Sequence, residues 1–329
     1  MKTKTKTILV VSIPVTLVSL LIGTCIGCEP DIEKKARDLV DPFAIPSAAM
    51  AVMTGTGEQL VERGRIDSFH RIPGVNGVEI DVWVINDQRD DPRPSPTSRA
   101  TGGPPPRPTA RGTVVLLPPL LTCKSWFLDA GGLLAERGWD VVLIDHRGHG
   151  WSAGEHVTWG AKEKHDVKAV MEALIADGRV SERVLAVGAS MGGMISIQYA
   201  AIDPRVRGVL ALAPPASFRR IARRIHMMLS DSDCEAAVKR AAEMADFDPD
   251  EADTVAAASK LTCPLILVHG WLDWAVPYDH SKDILAAARG PTKLIDEPTR
   301  GHAVEVMRNE WVVERIEELA GMAGMGERE

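Results

Sequence analysis

The stretch RVLAVGASMGGMISIQYAA, residues 183–201, decides how the chain is read. Its first five residues form a short apolar run of the kind that suits a strand buried on both faces. The run enters Gly188-Ala189-Ser190-Met191-Gly192-Gly193, and helical periodicity follows at 195–201. A serine at the centre of G-x-S-x-G, with a strand before it and a helix after it, sits in a sharp strained turn with its hydroxyl exposed at a helix N-terminus. Glycines are needed at 188 and 192 because the turn brings strand and helix close together. Ser190 is therefore the candidate nucleophile. A serine in an ordinary glycine-rich turn would not require this setting.

A lone serine is a weak nucleophile, so a base and an orienting acid are expected downstream in the order Ser, Asp or Glu, His. The apolar run 265–269 ends in Gly270-Trp271-Leu272-Asp273-Trp274-Ala275-Val276-Pro277. Asp273 thus lies just past a strand's carboxyl end, where ligands bind in open α/β sheets. One strand later, at 292–295, comes Gly301-His302, the last histidine of the chain. Read alone, Asp273 is a turn or capping residue and His302 a lone histidine. Chain order and placement join them to Ser190 as a candidate catalytic triad.

Around this stretch, apolar runs at 113–117, 141–144, 183–187, 208–212, 265–269 and 292–295 alternate with helical segments such as 161–176. Repeated βα units imply an α/β fold with a mainly parallel sheet covered by helices on both faces. The alternating GVEIDVWVI at 77–85 reads as a half-buried edge strand. Residues 88–112 hold seven of the 22 prolines and read as a mobile loop within the domain. The interval 216–262 lacks strand signal and reads as a helical cap inserted over the sheet's edge. Residues 29–65 are polar and weakly helical and read as a tether, with the domain proper at 66–329.

Residues 112–317 resemble the α/β-hydrolase superfamily, and most of all its serine aminopeptidase and monoacylglycerol-lipase-like branch. Besides the elbow, the resemblance is carried by Asp145-His146-Arg147-Gly148-His149-Gly150-Trp151-Ser152, similar to a D-x-R-G-x-G-x-S loop, and by Cys263-Pro264-Leu265-Ile266-Leu267-Val268-His269-Gly270 before the acid. It implies the α/β-hydrolase fold, an acyl-enzyme on Ser190, His302 as base, Asp273 as its orienter, and no cofactor. It also implies an oxyanion hole from the backbone N–H groups of Met191 and Leu120. One departure stands out: members commonly carry His-Gly where this chain has Pro118-Pro119, and proline offers no N–H, although Leu120 does. The implied substrate is a small-molecule or lipid acyl compound, an ester or related acyl bond. An aminopeptidase-like amidase is the alternative within hydrolases, and a non-catalytic surface lipoprotein using the fold for binding is the alternative outside them.

Composition agrees with a globular protein and limits its partners. The chain has 329 residues, 45% hydrophobic and 25% charged, and a formal charge of −7, so no global basic field draws it to nucleic acid. Lys2, Lys4 and Lys6 precede the apolar run 8–22, and the run leads to Cys25-Ile26-Gly27-Cys28. This resembles a bacterial lipoprotein signal with Cys28, rather than Cys25, as the lipidated residue; an uncleaved membrane anchor is the rival reading. Either places the domain outside the inner membrane, exported and membrane-attached: periplasmic or at the outer surface as a lipoprotein-like protein, or external on a single N-terminal anchor. There Cys123, Cys234 and Cys263 allow one disulfide at most. His146, His149, His156 and His165 cluster in sequence, but no carboxylate or thiol completes a metal site. Trp271 and Trp274 flank Asp273 and are candidates to line a substrate pocket. In FRRIARRIHMML, 218–229, four arginines share one helical face, either to meet anionic groups or simply as a solvated surface.

Overall fold

In the computed structural model, which describes residues 30–41, 44–86, 110–303 and 308–326, three helices open the described chain: α1 (Ile32–Val40), α2 (Ala44–Thr54) and α3 (Gly57–Glu62). A hairpin follows, β1 (Ser68–Pro73) and β2 (Glu79–Ile85). Next come β3 (Thr113–Leu117), α4 (Leu128–Glu136), β4 (Asp140–Ile144), α5 (Glu163–Ala176), β5 (Val184–Ala189), α6 (Met191–Ala200) and β6 (Val206–Leu212). Helices α7 (Phe218–Ile225), α8 (Asp231–Ala245) and α9 (Thr254–Ala258) precede β7 (Leu265–Gly270), and α10 (Asp279–Ala287), β8 (Thr292–Glu297) and α11 (Asn309–Met322) complete the order.

The strands form one sheet in the order β1-β2-β4-β3-β5-β6-β7-β8, with β1 and β2 antiparallel to their neighbours and the rest parallel. Period-two alternation divides each strand between two cores. Val82, Val84, Val115, Leu117, Val142 and Ile144 pack in one cluster with α5 and α6, while Trp83, Ile85, Val114, Leu116, Val141 and Leu143 pack in the other with α4 and α11. Both faces are covered, which is why the strands read as continuous apolar runs. From β3 the chain winds outward to β4, then returns past β3 to β5, so the winding reverses between these two neighbours. A crevice outside the carboxyl ends of the strands opens at such a reversal.

Three sequence expectations are corrected. The segment 29–65 is not a tether from residue 32 on: Ala36, Leu39 and Val40 of α1 are buried in the core against α8. Polar residues hid this, because α1 is amphipathic and only its narrow inner stripe is apolar. Strand β1 was missing from the sequence reading, since its residues alternate between half-buried and exposed and give no apolar run. β2 is therefore not the edge; it is paired on both sides and buried from Ile80 to Ile85. The helices of 216–262 do lie between two strands, but they pack mainly on α1, α6 and α10, extending the helical layer on one face.

Residues 88–109 of the proline-rich stretch lie outside the described residues, but both flanks are anchored. Asn86 donates from Nδ2 to Asp140 Oδ1 at 2.9 Å, and its N–H donates to Asp67 Oδ2 at 2.8 Å. Arg111 is buried, pairs with Glu317 of α11 at 2.7 Å and stacks 4.4 Å over the Trp139 ring. Cys123, Cys234 and Cys263 are all free thiols.

The burial of α1 has a measurable consequence. Leu39 is 1% exposed, the Trp159 Nε1–H donates to its carbonyl at 2.7 Å, and the Val157 N–H donates to Val40 O at 2.8 Å. Leu39→Ala is expected to destabilise the fold by about 2–5 kcal/mol, the range for a buried leucine truncated to alanine. Chemical denaturation of the two proteins measures it; an unchanged midpoint would mean that α1 is a tether after all.

Candidate active site

The turn between β5 and α6 is set by what its glycines lack. A Cβ on Gly188 would lie 2.2 Å from Gly192 O, and one on Gly192 would lie 2.1 Å from Leu117 O and 2.6 Å from Pro118 O. Ser190 is the N-cap of α6 with φ 51° and ψ −118°, a conformation L-residues avoid. Its N–H donates to Leu212 O at 2.7 Å, which ties the strained residue to β6. The hydroxyl thus stands at the positive end of a helix, beside the carboxyl end of β3, where Leu117 pairs with Gly188.

The structure brings Ser190, His302 and Asp273 together. His302 Nε2 is 2.9 Å from Ser190 Oγ, and His302 Nδ1 is 2.7 Å from Asp273 Oδ2. Since the carboxylate accepts from Nδ1–H, Nε2 of the neutral ring is the acceptor for the serine proton. Asp273 Oδ1 accepts the N–H groups of Ala275 and Val276, both at 2.9 Å, which curl the loop after β7 around the acid. Burial pushes the Asp273 carboxyl up. Hydrogen bonds from His269, His302 and Val276, with the charge of His302, outweigh it and hold the group well below the usual carboxylate range. Asp273 is therefore ionised at neutral pH.

Sequence reasoning missed His269, the second imidazole on Asp273. It is fully buried at the end of β7; its Nδ1 accepts from Ser281 Oγ at 2.6 Å and its Nε2 donates to Val276 O at 2.9 Å, with Asp273 Oδ2 3.3 Å away. The signal was a histidine closing an otherwise apolar strand four residues before the acid.

The D-x-R-G-x-G-x-S loop braces the site from the β4 side. Asp145 accepts the Lys124 N–H at 2.7 Å and the Trp151 N–H at 2.9 Å, and it pairs with the Lys124 ammonium, which also meets Asp81 at 2.6 Å and lies 4.3 Å over the Trp83 ring. Gly150, with φ 53°, leaves room for Asp145: a Cβ there would come within 2.1 Å of its Oδ2. Arg147 forms a bidentate pair with Asp166 at 2.7 and 2.8 Å. His146 Nε2 is 3.0 Å from Pro118 O. Burial and the neighbouring His149 pull His146 down to about 4, so at neutral pH it is uncharged and Nε2–H donates to that carbonyl. Among the described residues no group of three or more His, Cys, Asp and Glu side chains could hold a metal ion.

The model of the serine aminopeptidase S33 family matches residues 108–243. Solved structures agree on architecture: the Pyrococcus furiosus esterase Pf2001 superposes with a TM-score of 0.58 at 18% identity, covering 79% of this chain and 92% of that one. Est1E from Butyrivibrio proteoclasticus, solved with ferulic acid bound, does so with a TM-score of 0.57 at 17% identity, over 77% and 100% of the two chains. This chain has the α/β-hydrolase fold. Two uncharacterized proteins are similar in sequence over about half of this chain. YqkD of Bacillus subtilis is 24% identical over 188 residues, 54% of this chain and 60% of that protein. YfhR of Escherichia coli K12 is 25% identical over 170 residues, 51% of this chain and 55% of that protein.

On this α/β-hydrolase scaffold the remaining predicted residues take distinct places. Leu120 is partly buried in the loop beyond β3, and Met191 is buried at the first position of α6. Among the described residues neither N–H has an acceptor. Trp271 and Trp274 do not line an enclosed cavity; both are 57% exposed, and with Leu272 at 64% they form an apolar rim around Asp273. Two surface depressions, of about 740 and 590 Å³, share no residue with this rim or with the triad: one lies between α7 and α8, the other beside the amino ends of β6 and β7. The arginines of α7 are engaged within the molecule: Arg219 with Glu235 and Asp250, Arg220 with Asp283, Arg223 with Asp231, and Arg224 with the Trp274 carbonyl. The solvated-surface reading of that face is the one that fits. Cys25 and Cys28 lie outside the described residues.

The backbone at Ser190 stores strain that glycine would relieve. Holding a non-glycine residue at such angles costs about 1–3 kcal/mol, and glycine's added chain entropy takes back about 0.5–1 kcal/mol. Ser190→Gly is expected to be more stable than Ser190→Ala by about 1 kcal/mol, read from thermal or urea unfolding. If the alanine variant equals or exceeds the glycine variant, the turn is not strained.

Proposed function

We propose that the protein is a serine hydrolase that cleaves a carboxylic ester or a related acyl bond through an acyl-enzyme on Ser190. The observation that carries this is the continuous chain from Ser190 Oγ to His302 Nε2 and from His302 Nδ1 to ionised Asp273, on a strained strand–turn–helix elbow. Ser190 Oγ attacks the substrate carbonyl while His302 Nε2 takes its proton. Asp273 holds the imidazole in the required tautomer and stabilises the imidazolium that forms. The carbonyl oxygen becomes an oxyanion, for which the free N–H groups of Met191 and Leu120 are the donors, aided by the α6 dipole. His302 returns the proton to the leaving group, the carbonyl reforms, and water activated by His302 then releases the acid and regenerates Ser190.

The exposed rim of Trp271, Leu272 and Trp274 favours a substrate with an apolar acyl portion. An aminopeptidase would need a free carboxylate to hold the substrate amine. The acidic residues facing α7 (Asp231, Glu235, Asp250 and Asp283) are all paired with arginine. A binding module that had lost catalysis would not need an unoccupied N–H at Leu120 beside an intact triad. No cofactor enters the proposed chemistry.

Residues 29–329 reacted with a fluorophosphonate probe, beside Ser190→Ala, give the test. The wild type is expected to label and to turn over p-nitrophenyl esters, and the alanine variant to lose labelling and at least about 10⁴-fold of kcat, in keeping with removal of a triad member. A folded wild type that neither labels nor hydrolyses any ester would falsify the reading in favour of a binding module.

Attachment to a membrane through residues 1–28 is part of the same proposal. No helix of the described residues is long and apolar enough to cross a membrane, and the reading rests on the basic residues, apolar run and Gly27-Cys28 of the sequence. Metabolic labelling with a palmitate analogue in a bacterial host is expected to tag the full chain and Cys25→Ala but not Cys28→Ala. Retention of label in Cys28→Ala would exclude Cys28 as the lipidated residue.

A further inference from the structure

The replacement of His-Gly by Pro118-Pro119 leaves a question of geometry: what aims the Leu120 N–H? A trans peptide is planar, with its C=O and N–H pointing in opposite directions, and no peptide bond among the described residues is cis. The Leu120 N–H therefore points opposite to the Pro119 carbonyl, and whatever holds that carbonyl aims the donor. Thr122 holds it twice, through Oγ1 at 2.8 Å and through its N–H at 3.3 Å. These bonds close a turn over 119–122 in which Leu121 takes φ 69°, the left-handed region a type II turn requires at its third residue. Leucine has no preference for that region, so the turn is imposed on it by its surroundings.

The preceding peptide is fixed as well. His146 Nε2–H donates to Pro118 O at 3.0 Å from a fully enclosed ring, and the Pro119 ring locks its own φ. The 118–119 plane is held by His146, φ of Pro119 by its ring and the 119–120 plane by Thr122, so both peptide planes that flank Pro119 are restrained. Gly192 lets this loop lie against the elbow, since the position of its missing Cβ is 2.6 Å from Pro118 O. Beyond the turn, Lys124 pins the loop to Asp145.

We propose that Thr122 and His146 are positioning residues that aim the Leu120 N–H at the oxyanion, doing with side chains what a tight glycine-containing loop would do with backbone alone. Neither touches the reacting atoms. The inference rests on the serine-hydrolase reading and gives His146 a role that its loop motif does not specify.

The test compares Thr122→Val with Thr122→Ser, and His146→Leu with His146→Gln, in the 29–329 protein. Serine keeps the hydroxyl, and the glutamine amide N–H₂ takes the place of imidazole Nε2–H. Thr122→Val and His146→Leu are each expected to lower kcat about 10- to 100-fold, less than outright loss of a donor, with KM changed little. The affinity for a trifluoromethyl ketone, whose hemiketal presents the same oxyanion, should fall by the same factor, while the affinity for the carboxylate product stays put. Serine and glutamine should restore most of the loss. Melting curves identify any variant that does not fold, and either residue's pair alone suffices. Folded variants with unchanged kcat overturn the proposal, as do variants in which KM rises while hemiketal affinity holds. A wild type without labelling or turnover overturns the hydrolase reading and this inference with it; an active wild type with unaffected variants overturns this inference alone.

Discussion

The candidate active site depends on a close approach of backbone to backbone. Because Gly192 has no side chain, the carbonyls of Leu117 and Pro118 occupy the space a β-carbon would fill, and Gly188 meets Gly192 in the same way. That contact seats the end of β3 against the first turn of α6. It holds Ser190 in its left-handed conformation and brings the loop that carries Leu120 against the first turn of α6. Any larger residue at these positions would separate the two elements and leave the serine on a relaxed turn.

Buried polar groups then hold the loops that the sheet only delivers. Lys124 lies between Asp81 and Asp145 with the Trp83 ring against it, wholly removed from solvent. Desolvation cancels much of the attraction in such clusters, so their net contribution to stability is small; what they supply is location, because removing one member strands the others. The acid loop follows the same logic. The N–H groups of Ala275 and Val276 hold Oδ1 of Asp273, His269 lies beside the Oδ2 that also meets His302, and the carboxylate keeps its charge despite burial because these four donors surround it in fixed positions.

The α/β architecture was legible because both faces of the sheet are covered, which turns strands into apolar runs that periodicity detects. Ser190, Asp273 and His302 could be singled out because each follows a strand's carboxyl end and their chain order is diagnostic. What escaped reading was polar and long-range. The stripe of α1 is three residues wide, and its partner α8 is some 200 positions away. β1 carries no apolar signal because one of its edges has no neighbour in the sheet. His269 and Lys124 act through partners on other elements and Thr122 through a carbonyl three residues back in its own turn, and nothing in their local sequence distinguishes a brace from a bystander. The proline pair was legible as a departure, but the hold of His146 on Pro118 only becomes visible once β3 and β4 are neighbours.

Asn86 and Arg111 flank the connection from β2 to β3. Each is held by contacts to parts of the fold that stand without the other: Asn86 to Asp67 and Asp140, Arg111 to Glu317 and Trp139. The two ends of the connection from β2 to β3 are thus determined independently of the chain between them. Lengthening a connection whose ends are already fixed costs little, since closure entropy grows only with the logarithm of its length. The stretch between them can therefore gain or lose residues, or accept an inserted domain, without the strands on either side changing register, which makes it the point of the chain most open to evolutionary and experimental insertion.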